Sequence, residues 1–137
     1  MKAKLHRLGH TPELEAFVKK MRLDEPFDYS APFIFIAKHN GNLAFVNVFR
    51  LEEVNGKVIP RFVHILLDEP IRRSRWAVKL MRQAEDMLKL LGYTETFSYI
   101  LKDNVIMSTL ATKFGYIPDK EDTKARYYFK QLSKTKE

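Results

Sequence analysis

The 137-residue sequence contains no cysteine. This absence excludes disulfide bonds, zinc sites built on thiolates and a cysteine nucleophile, and it suits a reducing compartment. The longest apolar run, Phe33 to Ala37, is far too short to span a bilayer, and the basic N-terminus has no apolar secretion segment. These absences predict a cytoplasmic protein that makes no use of a membrane.

Two common kinds of catalytic site are also missing from the sequence. The four histidines lie on separate segments without HxH or HExxH spacing, so no metal site is expected. None of the few serines lies in a G-x-S-x-G turn, which argues against a hydrolase of that type.

The composition predicts one compact domain with anionic partners. Hydrophobic residues make up 45% of the chain, with ten Phe, six Tyr and one Trp, which is ample to bury a core. We expect a single domain over residues 1–132 and a short polar tail over 133–137. The net charge of +7 suits a nucleotide cofactor, a nucleic acid or an acidic protein surface, and does not choose among them.

The N-terminal half reads as a strand, a helix and a three-stranded antiparallel meander. Residues 2–8 form a short strand, after which Thr11 caps a helix that begins at Pro12 and ends near Leu23. Three further strands are indicated by β-rich runs with an Asn-Gly turn in each gap, over 33–39, 43–54 and 58–68.

The C-terminal half reads as helix, strand, helix, strand. The apolar stripe of Ala77, Leu80, Met81, Ala84, Met87, Leu88 and Leu91 predicts a helix over 77–91 that stops at Gly92. A strand over 96–101 follows. Asp103 or Asn104 then caps a helix with Ile106, Leu110 and Phe114 on one face, and the last strand covers 126–132. The unit from 58 to 101 has the size of a right-handed parallel crossover, so the sheet is mixed.

A basic turn joins the third meander strand to the helix over 77–91. Arg72, Arg73 and Arg75 lie where a helix N-terminus already carries roughly half a positive charge, a place usually given to acids. Either this turn binds an anion, or it is a solvated basic turn.

This order of elements, with its basic turn after the fourth strand, resembles the GNAT superfamily of acetyl-CoA-dependent N-acetyltransferases over nearly the whole chain. The resemblance implies an α/β GNAT-like fold, a mixed sheet with antiparallel N-terminal strands and a parallel middle pair, flanked by about three helices. The pyrophosphate loop of that family has the form Gln/Arg-x-x-Gly-x-Gly/Ala. The segment from Arg72 to Ala77 matches its first and last positions and has Arg75 in place of the central glycine. A bulky residue there either blocks the approach of backbone N–H groups to the pyrophosphate or replaces them with its guanidinium.

The resemblance implies a set of acetyl-CoA-binding residues. The backbone of the fourth strand would hold the pantetheine arm, and the basic turn would hold the phosphates. The implied residues are Leu66, Leu67, Arg72, Arg73, Ser74, Arg75, Trp76, Ala77 and Asn104.

Asn104, followed eleven residues later by Gly115-Tyr116, resembles the family motif in which an asparagine helps to hold the cofactor. An ordinary helix N-cap explains Asn104 equally well. Ala111 lies where many members have the tyrosine that protonates the departing thiolate, so the usual general acid is missing.

His64 is the candidate general base, because family members often draw the base from the fourth strand and its ordinary pKa is near neutrality. Counted back from Arg72, strand alternation puts Arg61, Val63, Ile65 and Leu67 on one face. His64 then lies on the other face unless a bulge shifts it.

The acidic and aromatic segment of Asp24, Glu25, Phe27, Asp28 and Tyr29 falls where GNAT proteins commonly shape the acceptor site. It either attracts a cationic amine or peptide, or is a solvated loop with its two aromatic rings in the core.

The resemblance therefore implies transfer of an acetyl group from acetyl-CoA to a small-molecule or peptide amine by direct attack. The sequence leaves the oligomeric state open and is compatible with a homodimer. The competing hypothesis is a catalytically degenerate GNAT-fold binding or structural protein of the kind that tailed phages encode, in the host cytoplasm or the virion. Nucleic-acid binding by the basic turn with Trp76 ranks last, because only charge and one aromatic residue support it.

Overall fold

A computed structural model of the chain describes residues 1–23 and 25–132. The elements in chain order are β1 (Lys4–His6), α1 (Pro12–Met21), β2 (Phe33–His39), β3 (Asn42–Val54), β4 (Lys57–Leu67), α2 (Arg75–Leu90), β5 (Glu95–Leu101), α3 (Val105–Lys113), β6 (Ile117–Glu121) and β7 (Ala125–Gln131). They form a seven-stranded sheet in the order β1-β2-β3-β4-β5-β7-β6. The strands pair antiparallel at β1–β2, β2–β3, β5–β7 and β7–β6, and parallel at β4–β5. This mixed sheet with three helices confirms the predicted fold class.

The chain divides into two compact units. The first comprises Met1–Arg50 and Val63–Met87, and the second comprises Leu51–Phe62 and Leu88–Glu137. Strands β3 and β4 and helix α2 each contribute residues to both units.

The first unit has its core between α1 and the sheet. The Thr11 hydroxyl accepts a hydrogen bond from the Leu14 N–H, and Pro12 occupies the first turn, which confirms the predicted start of α1. Leu14 and Phe17 are buried in a cluster of strand residues that includes Ile34, Leu43, Val46, Val48 and Leu66. Leu14 and Phe17 thus hold the helix on the sheet.

In the second unit, hydroxyl groups supplement the parallel β4–β5 pair. Arg61 is paired with Phe97. The buried Thr96 hydroxyl donates to the Pro60 carbonyl (3.0 Å), and the buried Ser98 hydroxyl donates to the Phe62 carbonyl (3.3 Å). Each hydroxyl satisfies a β4 carbonyl that would be costly to leave unpaired in the interior.

Several details of the predicted pattern are wrong. Strand β6 was missed because its five residues, Ile-Pro-Asp-Lys-Glu, are all exposed and show no apolar alternation. Ile106 is 83% exposed and Leu91 is 47% exposed, although both were expected on buried faces. Helix α2 begins at Arg75, two residues earlier than predicted.

Among the described residues, no helix has the length and apolar character needed to cross a membrane. Residues 1–23 and 25–132 also contain no group of three or more His, Asp or Glu side chains arranged to hold a metal ion. The predicted tail over 133–137 lies outside the described residues.

Candidate functional site

The turn between β4 and α2 is held by its own backbone. The N–H groups of Ile71 and Arg72 donate to the Asp68 carbonyl at 3.1 and 3.0 Å, and the Ser74 N–H donates to the Ile71 carbonyl at 3.1 Å. The Ile71 side chain is 1% exposed and anchors the turn in the core. Arg72, Arg73 and Arg75 are exposed around it.

Within this turn, Arg73 has the backbone conformation that favours glycine. Its φ angle is +72°, in the left-handed region where a side chain is strained. Arg75 occupies the position of the family's central glycine, yet it is the first residue of α2 and is not among the residues with positive φ. The chain conformation at Arg75 therefore does not itself require glycine.

Ser74 caps α2. Its hydroxyl accepts the Trp76 N–H at 3.2 Å and donates to the Ile71 carbonyl at 2.6 Å. A serine hydroxyl carries one proton, so Ser74 in this conformation has no donor left for a phosphate. Trp76 and Ala77, in the first turn of the helix, are half-buried.

Arg72 reaches back to the end of β4. Its Nε and Nη2 donate to the Leu67 carbonyl at 3.3 and 3.1 Å. The side chain of Leu66 is buried and that of Leu67 is half-buried, so neither is fully exposed to solvent. The Leu67 carbonyl, which the resemblance assigns to the pantetheine arm, is covered by this guanidinium.

His64 is buried in β4 with an unsatisfied ring nitrogen. It is 4% exposed, and its Nε2 makes no hydrogen bond within the described part of the chain. Phe62 and Leu66 are also buried, whereas Val63 and Ile65 between them are half-buried, so the strand alternates as predicted and His64 faces away from Leu67.

The surroundings of His64 favour its neutral form. Burial lowers the pKa of its imidazole, Glu25 raises it, Arg50 lowers it and Asp28 raises it, with a net shift below the ordinary value. Its ring stacks on Phe27 with centroids 5.3 Å apart. At neutral pH the ring therefore carries a lone pair that can accept a proton.

A short aromatic stack leads from His64 towards the surface. Phe27 packs on Tyr29 with centroids 4.7 Å apart, and Tyr29 stacks on His10 at 4.0 Å. The His10 side chain is 53% exposed. Phe27 and Tyr29 are half-buried and pack against the α1 core without being part of it.

The carboxylate of Asp28 is held by hydrogen bonds to two neighbouring side chains. Its carboxylate accepts the Ser30 hydroxyl at 2.7 Å and Arg50 Nε at 2.8 Å. The Ser30 hydrogen bond, opposed by burial and assisted by Arg50, holds the pKa of Asp28 below its ordinary value. Glu25 is exposed, and Asp24 lies outside the described residues.

Asn104 and Ala111 belong to the second unit. The Asn104 Oδ1 accepts the Met107 N–H at 3.1 Å, so the side chain is an N-cap of α3. Ala111 is 6% exposed. Gly115 ends the helix with a φ of +99°, and a Cβ there would lie 3.3 Å from the side chain of Lys130.

Sequence reasoning missed Asn47, which supports the strand of His64. Asn47 is 1% exposed, and its Nδ2 donates to the His64 carbonyl at 3.0 Å. The signal was present, since Asn47 is the polar residue within an otherwise apolar run over 43–49.

No protein-family profile and no curated protein sequence matches the chain. Solved structures do. A ribosomal-protein alanine N-acetyltransferase from Escherichia coli matches with a TM-score of 0.69 and 15% identity, over 98% of this chain and 97% of that chain. A spermidine N-acetyltransferase chimera from Vibrio cholerae and hSSAT matches with a TM-score of 0.73 and 12% identity, over 97% and 98%.

A third match is the PaiA N-acetyltransferase from Thermoplasma acidophilum in complex with coenzyme A, with a TM-score of 0.60 and 16% identity over 72% of this chain. This chain spans 59% of that protein's length, less than two thirds. At these identities the likeness establishes the fold, which is that of the GNAT N-acetyltransferases.

Proposed function

We propose that the protein is an acetyl-CoA-dependent N-acetyltransferase that transfers the acetyl group directly to an amine. Support comes from the fold shared with N-acetyltransferases, among them a structure with coenzyme A bound. The observation that carries the proposal is the buried imidazole of His64, which has an unpaired Nε2 on the strand that ends at the basic turn.

His64 would act as the general base. His64 takes one proton from the ammonium form of the amine, which its neutral state at pH 7 allows, and so frees the nitrogen lone pair. The nitrogen then attacks the thioester carbonyl, a C–N bond forms as the C–S bond breaks, and the coenzyme leaves as its thiolate. The second proton that the nitrogen loses as the amide forms passes to water. Asn47 would position the base through its hydrogen bond to the His64 carbonyl.

The general acid of this proposal is water. Ala111 offers no proton, and it is buried. Loss of one positioned proton donor typically costs about 10² to 10⁴ in rate. Turnover is therefore slow in comparison with an enzyme that has the tyrosine.

The basic turn would hold the diphosphate of the coenzyme. Arg72, Arg73 and Arg75 surround the N-terminus of a 16-residue helix that has no acid in its first turn, so charge and helix dipole both favour an anion. The backbone of Leu66 and Leu67, the first-turn residues Trp76 and Ala77, and Asn104 complete the proposed set. Arg72 keeps N–H donors beyond the two on the Leu67 carbonyl, whereas Ser74 would donate to a phosphate only after its hydrogen bond to the Ile71 carbonyl opens.

The acceptor is proposed to be a cationic amine on a small molecule or peptide. Glu25 is the exposed acid near His64, and its negative charge attracts a cationic amine. We place the reaction in the cytoplasm, because acetyl-CoA is available there and a protein without cysteine suits a reducing compartment.

A second candidate function is a GNAT-fold binding or structural protein without catalysis, of phage-encoded type. The engaged Ser74 hydroxyl, the arginine at the central glycine position and the missing phenol at Ala111 favour it.

Calorimetric titration with acetyl-CoA and desulfo-CoA separates these candidates. The enzyme proposal expects Kd values below about 100 μM, roughly 5.5 kcal/mol at 25 °C. Absence of any binding heat at several temperatures would contradict the proposal and leave the second candidate.

A further inference from the structure

Helix α2 presents a line of cations on one exposed face. Arg75, Lys79 and Arg82 follow one another at helical spacings of four and three residues, so they lie on the same side of the helix. All three are exposed. They line an open groove of about 620 Å³ together with Val78, Gln83 and Asp86.

The cations of this groove form no close ion pair, although Lys79 Nζ lies 4.9 Å from the centroid of the Trp76 ring and Asp86 lines the groove four residues after Arg82. None of the three lies within 4 Å of an acidic side chain among the described residues, although seven other Lys or Arg side chains there form such pairs. Like charges at these helical spacings repel, and Arg75 also opposes the helix dipole. An anionic partner would relieve both costs.

The charge spacing favours a phosphodiester backbone. Three cations are spread over about 10 Å of helix axis, a length in which one strand of a duplex carries about three phosphates. An extended acidic peptide presents side chains on one side only every 6 to 7 Å or so. Its charge density along that side is therefore about half that of the phosphates of one nucleic-acid strand. The two arginines add planar donors that match phosphate oxygens.

We propose that the groove of Arg75, Lys79 and Arg82 on α2 binds the phosphate backbone of a nucleic acid, an activity beyond acetyl transfer. The earlier expectation against nucleic acid rested on the basic turn and Trp76 alone. The groove adds two cations, Lys79 and Arg82, outside the residues proposed to hold the coenzyme. Asp86 lies at the far end of the groove and opposes an anion there.

The test is fluorescence anisotropy with labelled 20-nucleotide single-stranded RNA, single-stranded DNA and duplex DNA at several KCl concentrations. With three phosphate contacts, the slope of log K against log salt is about −2 for single strands and about −3 for the duplex. The double variant Lys79→Gln with Arg82→Gln should weaken binding and reduce the slope by about 1.4 for single strands. Asp86→Asn should tighten binding.

A matched control removes the same charge elsewhere. Lys19 and Lys113 are exposed lysines in the last turns of α1 and α3. Lys19→Gln with Lys113→Gln should leave the salt slope unchanged. An equal loss in this control would overturn the proposal, because general positive charge would then explain the binding. Failure of all three oligonucleotides to bind, or tighter binding of poly-glutamate at the same salt, would also overturn it.

Titration with CoA and dephospho-CoA distinguishes this site from the coenzyme site. The proposal expects Lys79→Gln with Arg82→Gln to leave both affinities at wild-type values. If the double variant weakens CoA but not dephospho-CoA, the groove serves the 3′-phosphate of the coenzyme and the nucleic-acid proposal fails. Oligonucleotide binding without CoA binding would instead defeat the proposed acetyltransferase and leave this inference standing.

Discussion

The imidazole of His64 lies against the ring of Phe27, with centroids 5.3 Å apart and planes inclined by 17°. This contact joins β4 to the loop after α1, and it places a buried base beside the loop that carries Glu25. The loop is in turn secured to β3 by the Asp28–Arg50 ion pair of 2.8 Å. The candidate base is therefore packed against a loop that is itself held to the sheet.

Burial of His64 makes the free energy of unfolding depend on pH. The folded pKa lies below the ordinary value of 6.5, so as pH falls the unfolded chain takes up this proton first. Stability contributed by neutral His64 is present above about pH 6.5 and is lost as pH falls through the folded pKa. Urea unfolding at pH 7.5, 6.5 and 5.5 should show this decline, and His64→Gln should flatten it. An identical decline in the variant would show that other groups cause it.

Arg73 should be replaceable by glycine with a gain in stability. Its φ of +72° costs a non-glycine residue roughly 1 to 2 kcal/mol, and the extra entropy of unfolded glycine offsets part of the gain. We expect Arg73→Gly to stabilise the protein by about 0.5 to 1 kcal/mol in thermal or urea unfolding. Arg75→Gly is the control and should not stabilise the protein, because the cost of glycine in a helix, up to about 1 kcal/mol, offsets the relief of charge repulsion at the helix N-terminus. The reverse order of the two variants would contradict the described turn.

Truncation of Leu88 should lower the free energy of unfolding more than truncation of Leu90, two residues further along α2. Leu88 is 0% exposed and Leu90 is 85% exposed. Leu88→Ala should lower the free energy of unfolding by about 2 to 5 kcal/mol, whereas Leu90→Ala should change it by less than about 0.5 kcal/mol. Equal effects in chemical denaturation would mean that α2 packs on another face.

Local signals predicted most of the fold. The Thr11-Pro12 start, the two Asn-Gly gaps and the stripe through Leu80, Ala84 and Leu88 depend on neighbours in sequence, and each is observed in its predicted element. Strand β6 forms by pairing with β7, which supplies the partner that its own polar residues do not reveal. Ile106 follows the helical period of α3 yet faces solvent, because tertiary packing chooses which face is covered.

The candidate site was less predictable than the fold. The residue types of the basic turn are visible in sequence, but the contact of Arg72 with the Leu67 carbonyl and the strain at Arg73 depend on the path of the turn. The environment of His64 depends on Phe27, Asn47 and Arg50, which are distant in sequence. Strand alternation could assign His64 to one face of the sheet, but tertiary packing determines whether that face is buried.

The most direct test of the central claim is the rate of acetyl transfer from radiolabelled acetyl-CoA to a panel of amines, for the wild type and His64→Gln, with CoA affinity measured in parallel. The account predicts slow transfer by the wild type to at least one cationic amine, and about 10²- to 10⁴-fold less by the variant at unchanged CoA affinity. Wild-type protein that binds acetyl-CoA but acetylates no amine above background, or a variant as active as the wild type, would contradict it.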